Sequence, residues 1–415
     1  MSRAILHVDV NNFSASGECL EHPELQNVPV VVGGDEEARH GIVLSKNEIA
    51  KRQYGVKTGE VLWKVRQRCP DVVVLSPHME RYAAFSRMAR QLYLEYTDQV
   101  ENFGLDEAWM DVTGSGIFGT PRGIADELRA RIRREFGVTV SVGVSFNKVF
   151  AKLGSDMKKP DATTEISERD FRERIWGLDA GELLYVGRAT QEKLARVGIR
   201  TIGDLACFDR KLLGTLLGKH GVMLWAFANG MDTSPVARSD ETSTVKSVGN
   251  STTLPRDLKC EGDIWLTLYA IADAVAGRLR RNGLSGRTIT VSIRDRDLFT
   301  FERQCKINHP TQLSGEIAEI AMMLFRQHYG WIKPVRALGI QVSDLTEEVT
   351  EAQLDLFGEV LRREKKRDVE RAVDNIRNRY GHDTVLRASM MTAPDITGMH
   401  PAVNTFIHKI PSVRN

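Results

Sequence analysis

Two short stretches of the sequence end an apolar run on carboxylate side chains. The first, ILHVDV, delivers Asp9, and the second, GLDEAWMD, holds the neighbouring pair Asp106 and Glu107. An isolated Asp-Glu pair more often caps a helix or faces water, but two strand-end sites in one sheet could converge on hard divalent cations. Mg²⁺ prefers a few carboxylates together with water and phosphate oxygens. Two such ions can activate an attacking hydroxyl and stabilise a leaving pyrophosphate, so these residues are candidates for phosphoryl-transfer chemistry.

The elements that must position these carboxylates can be read from the hydrophobic pattern. AILHVDV and residues 29–34 read as buried strands, and Ile124, Leu128, Ile132 and Phe136 recur every four residues, as in an amphipathic helix. The strict alternation of VTVSVGV, residues 138–144, predicts a half-exposed strand. Strands with a packed helix between them predict an α+β sheet domain with helices on one face, and residues 12–77 interrupt it as an insertion.

The second half of the chain divides into three parts. Residues 166–236 read as short helices with glycine breaks, and the turns around Gly187 and Gly198 suit a helix-hairpin-helix. After a polar linker at 237–244, residues 245–345 alternate strand and helix. The tail from 346 onward is highly charged and contains QLDLF at 353–357, followed by a basic helix near 362–378.

Composition limits the classes of protein that the chain can belong to. Its 415 residues predict two to four domains, and 42% hydrophobic with 27% charged residues is typical of a soluble globular protein. No apolar run is long enough for a membrane span, and five scattered cysteines suit free thiols in a reducing cytoplasm. With a net charge of +2, any basic nucleic-acid footprint must be local.

Four separated motifs resemble, in order, those of the Y-family DNA polymerases, the lesion-bypass class. They are HVDVNNF, GLDEAWMD, VGVSFNKVFAKLGSDMKKPDA and GRATQEKLARVGIRTIGDL. The resemblance covers roughly residues 4–345 and is strongest to the branch that contains bacterial DNA polymerase IV and UmuC. It implies a multidomain right-hand polymerase with a ferredoxin-like palm, small fingers, a helical thumb with a helix-hairpin-helix, and an α/β little finger.

The resemblance implies the following domain boundaries, which are expectations at this point. The palm would comprise residues 1–11 and 78–165, the fingers 12–77, the thumb 166–236, the linker 237–244, the little finger 245–345 and the tail 346–415.

The resemblance also assigns the metal site. Asp9, Asp106 and Glu107 match the three metal-binding carboxylates of the family, and the backbone carbonyl of Val10 would add a further ligand. Two Mg²⁺ ions are expected, and Mn²⁺ can substitute for them. Asn11 stands where many relatives have Asp, and loss of that charge need not harm the site.

Nucleotide-binding residues follow from two of the motifs. Lys159, just before Pro160-Asp161, matches the lysine that binds the triphosphate, whereas Lys148 and Lys152 could equally belong to a solvated helix face. In the fingers, Ser45 matches a phosphate-gripping Ser/Thr. Glu48 stands at a usual Tyr position, and either Lys51 or Arg52 could take the usual Arg position.

Ser14 is the most unusual of the expected nucleotide contacts. It follows Phe13 at a position where the family usually has Tyr or Phe, whose ring excludes the 2′-hydroxyl of a ribonucleotide. A serine there implies weak discrimination against ribonucleotides. The alternative is that Phe13 or a fingers residue fills the space and restores the barrier.

Contacts with DNA and with a partner protein are also implied. Candidate DNA contacts are Gly187, Gly198, Lys246, Ser247, Arg294, Arg296, Arg336 and the group Arg278, Arg280 and Arg281. QLDLF resembles the peptide by which bacterial polymerases dock on the sliding clamp, with Gln353, Leu354, Leu356 and Phe357 as the docking residues. A tail helix with an apolar face is the alternative for that segment.

The expected function is template-directed, low-fidelity DNA synthesis past lesions, by a monomer in the bacterial cytoplasm that uses primer-template DNA, dNTPs and, through Ser14, rNTPs. Two other classes were weighed. A catalytically silent DNA- and clamp-binding scaffold has no need of all three carboxylates. A nucleotidyl cyclase has no use for a helix-hairpin-helix, a separate last domain or a clamp peptide.

Overall fold

The first strand, β1 (Ile5–Val10), lies at the centre of a five-stranded sheet. The computed structural model describes residues 3–35, 41–241, 244–347, 359–381 and 384–397. In the described ranges no helix has the length and apolar character needed to cross a membrane. In spatial order, the strands of this sheet are β5 (Val100–Asn102), β6 (Glu107–Asp111), β1, β7 (Val140–Ser145) and β8 (Thr163–Ile166). Its helices are α4 (Met79–Leu94), α5 (Pro121–Phe136) and α6 (Lys148–Met157).

Helices cover both faces of this sheet, not one face as expected. Apolar side chains of β1 and β7 pack on one face against α4 and α5, and α6 contacts β1, β7 and β8 on the other. The predicted half-exposed strand is wrong for this reason: all six residues of β7 are buried. The alternation of VSVGVS marks small residues that admit a helix, because a Cβ on Gly143 would lie 1.9 Å from the Ala151 carbonyl oxygen of α6.

The ends of α5 and α6 are set by local capping. Thr120 accepts a hydrogen bond from the Gly123 amide at the start of α5, and Gly137, with φ 72°, ends that helix in the left-handed conformation. Asn147 caps α6 by accepting from the Phe150 amide at 2.7 Å. The Asn147 cap fixes the residue at which α6 begins, and the caps of α5 fix both of its ends.

The segment between β1 and α4 forms a separate small sheet of order β3-β2-β4 with its own apolar core. Its elements are α1 (Phe13–Cys19), β2 (Val30–Gly33), β3 (Val43–Lys46), α2 (Glu48–Tyr54), α3 (Leu62–Arg68) and β4 (Val73–Leu75). Buried Glu18 of α1 joins this segment to α4, since it accepts hydrogen bonds from Arg81 and from the Tyr82 hydroxyl.

Five helices follow β8 and share one apolar core. They are α7 (Phe171–Ile175), α8 (Arg188–Arg196), α9 (Ile202–Cys207), α10 (Arg210–Leu217) and α11 (Lys219–Ala228). The chain then returns along β5, where the Ala237 amide donates to Glu101 at 2.8 Å and the Ser239 amide to the Asp98 carbonyl at 3.0 Å. The first residues of the expected linker are thus hydrogen-bonded to the five-stranded sheet near β5.

A four-stranded antiparallel sheet of order β11-β10-β12-β9 forms the last domain. Its elements are β9 (Ser247–Leu258), α12 (Glu261–Arg281), β10 (Leu284–Asp295), β11 (Thr300–Thr311), α13 (Ser314–His328) and β12 (Val335–Glu347). Both helices pack on one face of the sheet and bury its apolar side chains.

Two further helices, α14 (Glu359–Tyr380) and α15 (Pro394–Thr397), follow the last domain. Ile396 of α15 is buried in its apolar core, whereas α14 is joined to α12 by charged side chains. Arg280 of α12 pairs with Glu370 and, through two hydrogen bonds of 2.6 and 3.0 Å, with Asp374 of α14. Arg377 donates to Asp273 at 2.7 Å. This arrangement differs from the expected separate tail, because charged residues of α14 find their partners on α12.

Candidate active site

The three predicted carboxylates lie together at one end of the five-stranded sheet. Antiparallel pairing of β1 and β6 places Asp9 directly opposite Glu107. The Val10 amide donates to the Asp106 carbonyl oxygen at 3.0 Å, so the turn before β6 is held against the end of β1. Residues almost a hundred positions apart in sequence are therefore brought to one edge by strand register.

Two lysines of the α6 region stand over these carboxylates. Lys152 Nζ lies 3.1 Å from Asp9 and 2.8 Å from Glu107. Lys159 Nζ lies 2.8 Å from Asp9. Both lysines also contact Asp156, at 3.1 and 2.8 Å. Lys152 is thus not on a solvated face, one of the two readings of its helical spacing. The sequence signal for these two lysines is their spacing, because Lys152 precedes Asp156 by four residues and Lys159 follows it by three.

Burial and mutual repulsion shift the ionisation of these groups. Burial, then the charges of Glu107 and Asp9, raise the pKa of Asp106 to about 6. Burial alone would raise the pKa of Glu107, but hydrogen bonding by His7 and Lys152 and the lysine charge lower it to about 2. Burial opposes the charge of Lys152, yet its carboxylate neighbours raise the pKa of that ammonium. Negative charge is thus concentrated where Asp106 lies.

His7 is a neighbour of the site that the sequence reading did not assign. Its ring is fully buried on the same face of β1 as Asp9. Nε2 lies 3.3 Å from Glu107 Oε2, and Nδ1 lies 2.8 Å from Ser155 Oγ. No local sequence signal reveals the contacts of His7, because both partners come from distant parts of the chain.

Asn11 is directed away from the carboxylates into a structural network. Its side-chain oxygen accepts from Thr139 Oγ1 at 3.0 Å and from the Asp161 amide at 2.9 Å. Its amide donates to Ser141 Oγ at 3.0 Å. Asn11 therefore joins β1 to β7 and to the turn that follows Lys159.

The donor set suits a hard divalent cation. In the described part of the chain, no three His, Cys, Asp or Glu side chains surround a common point as a ready-made cation site. The Lys152 ammonium lies against oxygens of Asp9 and Glu107, and that of Lys159 lies against Asp9. A cation between the carboxylates would relieve the repulsion that raises the pKa of Asp106. Carboxylate oxygens are also the ligands that Mg²⁺ prefers.

Comparison with known proteins identifies the family to which this arrangement belongs. Residues 8–156 match the impB/mucB/samB family, and residues 245–356 match its C-terminal domain. DNA polymerase IV of Acetivibrio thermocellus is 51% identical over 94% of the chain and 98% of the relative. The chain belongs to the Y family of DNA polymerases. DNA polymerase IV 2 of Bacillus subtilis is 38% identical, over 94% of the chain and 95% of the relative.

A solved structure supports the fold of this polymerase. The Y-family DNA polymerase chimera Dbh-Dpo4(243-245)-Dbh superposes with a TM-score of 0.74 and 24% identity, covering 83% of the chain and 99% of the chimera. The expected α+β multidomain polymerase fold is confirmed, as is the expectation of a DNA-directed DNA polymerase of the translesion class. Catalysis in this family is metal-dependent.

In the polymerase, the predicted fingers contacts lie along β3 and α2. Ser45 Oγ accepts from the Ala15 amide at 3.3 Å. Glu48 pairs with Arg52 at 2.8 Å and lies 3.8 Å from Lys51. Lys46 was not predicted: burial, then the charges of Lys51 and Lys159, lower the pKa of its ammonium. The charges of Lys51 and Lys159 therefore act on Lys46, and Lys159 itself contacts Asp9.

Phe13 and Ser14 begin α1 next to the carboxylate edge. The Phe13 ring packs against Tyr82 and Phe85, with centroid separations of 5.7 and 5.6 Å. Ser14 is half-buried. The Phe13 ring is thus packed against helix α4.

The predicted helix-hairpin-helix glycines flank α8. Gly187 precedes its first residue, and Gly198, with φ 85°, follows its last turn. Tyr185, two residues before Gly187, is half-exposed and takes φ 69°, a conformation that bulky residues rarely adopt.

The predicted contacts of the last domain are spread over its sheet. Ser247 pairs with Ser343 at one end of β12, and Arg294 pairs with Ala337 towards the other. Arg296 lies in the exposed turn after β10, Arg336 at a register shift in β12, and Lys246 is exposed before β9. Arg280 is buried against α14, so it is not available to a DNA phosphate. The clamp residues Gln353, Leu354, Leu356 and Phe357 lie outside the described residues.

Proposed function

We propose that the polymerase transfers a nucleotide to a primer 3′-hydroxyl with two Mg²⁺ ions bound by Asp9, Asp106, Glu107 and the Val10 carbonyl. The observation that carries the proposal is the register pairing of Asp9 with Glu107 beside Asp106, whose pKa is raised to about 6 by burial and by its two carboxylate neighbours. When bound, the ions supply charge to activate the hydroxyl and stabilise the departing pyrophosphate, and Mn²⁺ can replace Mg²⁺.

The chain's own cations complete the proposed site. Lys159 lies 2.8 Å from Asp9 and 2.8 Å from Asp156, so its ammonium is placed at the edge where a triphosphate would approach. Lys51 shares the electrostatic field of Lys46 and Lys159, whereas Arg52 is mostly exposed and pairs with Glu48. We therefore favour Lys51 over Arg52, together with Ser45 and Lys46, as the phosphate contacts of the fingers.

Isosteric substitution of the carboxylates tests the proposed site. Glu107→Gln, Asp106→Asn and Asp9→Asn should each slow single-turnover primer extension by roughly three decades or more, while DNA affinity stays within about threefold. Glu101→Gln is a matched control, since Glu101 lies in the same sheet but pairs with Lys148. Near-natural extension by Glu107→Gln would exclude that residue from the site.

A weak barrier to ribonucleotides is the second part of the proposal. Ser14 offers a small side chain where the family usually has a ring, and the Phe13 ring is engaged by Tyr82 and Phe85. The ratio of kcat/KM for dNTP to that for rNTP should rise by at least about tenfold in Ser14→Tyr, which corresponds to about 1.4 kcal/mol. Ala15→Ser is a neighbouring control for the added bulk. High selectivity in the natural enzyme, unchanged by Tyr, would place the barrier elsewhere.

The domain assignment and DNA contacts follow the same proposal. The five-stranded sheet would be the palm, the inserted small sheet the fingers, helices α7–α11 the thumb and the four-stranded sheet the little finger. Backbone groups near Gly187 and Gly198, with Lys246, Ser247, Arg294, Arg296 and Arg336, would contact the sugar-phosphate backbone of primer-template DNA, as befits an enzyme that accepts any sequence.

Clamp docking through Gln353, Leu354, Leu356 and Phe357 is proposed from the QLDLF motif. Deleting residues 353–357 should leave distributive extension of a short primer unchanged and remove stimulation by a loaded bacterial sliding clamp. Replacing the five residues with Gly and Ser, at constant length, controls for shortening. Equal stimulation with and without the motif would show that another surface docks. We further propose that the polymerase acts as a monomer in the cytoplasm, where its DNA substrate lies.

A further inference from the structure

A buried histidine lies behind the carboxylate site and contacts it directly. His7 and Asp9 project from the same face of β1, and the cross-strand neighbours of His7 are Trp109 and Gly143. Because Gly143 has no side chain, α6 approaches closely enough to place Ser155 beside the ring. The Trp109 ring meets the imidazole edge at a centroid separation of 5.2 Å. The ring is therefore held on three sides.

Each ring nitrogen faces a different polar atom. Nδ1 lies 2.8 Å from Ser155 Oγ, and Nε2 lies 3.3 Å from Glu107 Oε2. His7 Nε2 and Glu107 Oε2 are both buried, and within the described ranges neither atom has a hydrogen bond of standard geometry. Lys152 Nζ lies 2.8 Å from Oε2, so Nε2 is the atom that still needs a partner, and Oε2, 3.3 Å away, is placed to accept from it.

The neighbours of the two ring nitrogens decide which of them carries the hydrogen. The Ser155 hydroxyl has one hydrogen, which it can donate to the Lys152 carbonyl oxygen at 2.7 Å or, after rotation, to His7 Nδ1 at 2.8 Å. If Nδ1 carried the ring hydrogen, the Nε2 lone pair would face a carboxylate oxygen. If Nε2 carries it, Ser155 donates to Nδ1 and Nε2 donates to Glu107. The Lys152 carbonyl lies inside α6, where a backbone amide serves as its donor.

We propose that His7 is a positioning residue for Glu107: its Nε2–H donates to Oε2 and leaves Oε1 as the oxygen that faces the metal. Lys152 Nζ, 2.8 Å from Oε2, acts on the same oxygen. Hydrogen-bond partners behind a metal-binding side chain commonly account for tenfold to hundredfold differences in metal affinity or activity. The inference rests on the proposed role of Glu107 as a metal ligand.

The tautomer can be measured in the natural protein without any metal. With ¹⁵N-labelled histidine, two-bond correlation spectra should show a protonated, pyrrole-type Nε2 and an unprotonated, pyridine-type Nδ1 for His7. His7→Gln assigns the resonance by its loss. The opposite tautomer, with hydrogen on Nδ1, would overturn the proposal, and this measurement does not require any variant to be active.

Substitution tests the consequence for metal binding. His7→Phe should weaken Mn²⁺ binding to the enzyme–DNA complex, measured by electron paramagnetic resonance, by about tenfold and lower kcat about 10–100-fold. KM for dNTP should change by less than about threefold, as expected for a group that acts on the metal ligand. His7→Gln, which retains a donor near Nε2, should recover most of the loss.

A matched control separates positioning from packing. Ser145→Ala removes a buried hydrogen bond of 2.8 Å to the Ile166 carbonyl in the same sheet without touching Glu107, and it should leave Mn²⁺ affinity unchanged. Natural Mn²⁺ affinity in His7→Phe, or equal losses in the Gln and Phe variants, would overturn the proposal. If Glu107→Gln were fully active, the metal role of Glu107 would fail instead, and the two failures are thereby distinguished.

Discussion

The group of charges at the end of β1 differs from the group between α12 and α14. At β1, Lys152 contacts Asp9, Glu107 and Asp156, and Lys159 contacts Asp9 and Asp156. At α12, Arg280 has Glu370 and a bidentate Asp374, and its side chain is only 3% exposed. Burial, then Glu107 and Asp9, raise the pKa of Asp106 in the first group, and burial also raises the pKa of Glu370 in the second. Glu370 is paired with Arg280, whereas Asp106 has no ion pair among the described residues.

The difference between the groups separates a site from a structural contact. Desolvated charges that are fully paired hold elements together and cannot accept a ligand without breaking that pairing. Carboxylates with too few cationic partners attract further cations, such as metal ions or the cations that accompany a substrate. The comparison supports the proposed metal site at the end of β1, and the α12 group serves to attach α14.

The largest expected effect comes from breaking the paired group. Arg280→Leu should lower the free energy of unfolding of the last domain by about 3–5 kcal/mol, because Glu370 and Asp374 lose their cation in a buried setting. Urea unfolding followed by tryptophan fluorescence measures it. Arg326→Leu, which breaks an exposed pair with Glu261, should cost less than about 1 kcal/mol. A loss no greater than that control would show that the α12 group is not structural.

An intermediate effect of opposite sign is expected at the β1 group. The pKa of Asp106 in the folded state is raised to about 6, so ionisation costs stability as pH rises through that value. Asp106→Asn should therefore raise the metal-free stability at pH 8 by about 1–2 kcal/mol, less than the full shift because solvent partly screens the carboxyl. Thermal unfolding at pH 8 and pH 4 measures it: the gain should vanish at pH 4. Excess Mg²⁺ at pH 8 should also remove it. A gain that is independent of pH would contradict the electrostatic origin.

The smallest effect is expected where a new charge would find all its partners. Asn11→Asp adds a carboxylate to an existing network of Thr139, Ser141 and the Asp161 amide, whose hydroxyls and N–H can donate to it. Stability should change by less than about 0.5 kcal/mol and primer-extension rate by less than about threefold. A large gain in metal affinity would instead mean that position 11 reaches the metal.

The sequence predicted the parts of the site that reside in local motifs. Asp9, Asp106, Glu107 and Lys159 could be proposed because they lie in motifs that resemble those of the Y family, and the structure brings them together at one edge of the sheet. His7 could not, since its role depends on strand register and on Ser155 from α6. Arg280 was assigned to DNA for a similar reason: only the packing of α14 reveals its partners. The exposure of β7 was predicted wrongly because its small residues alternate with its valines. In sequence, this pattern has the same two-residue period as alternating buried and exposed residues.

The attachment of α14 and α15 also bears on how pieces of such enzymes can be recombined. The last domain taken as residues 244–347 alone would leave Arg280 and Asp273 without the α14 side chains that pair with them, and would uncover the apolar surface beneath Met390 and Ile396. A domain exchange between relatives should therefore transfer residues 244–397 together. The grafted domain then keeps its own C-terminal helices and its native solubility.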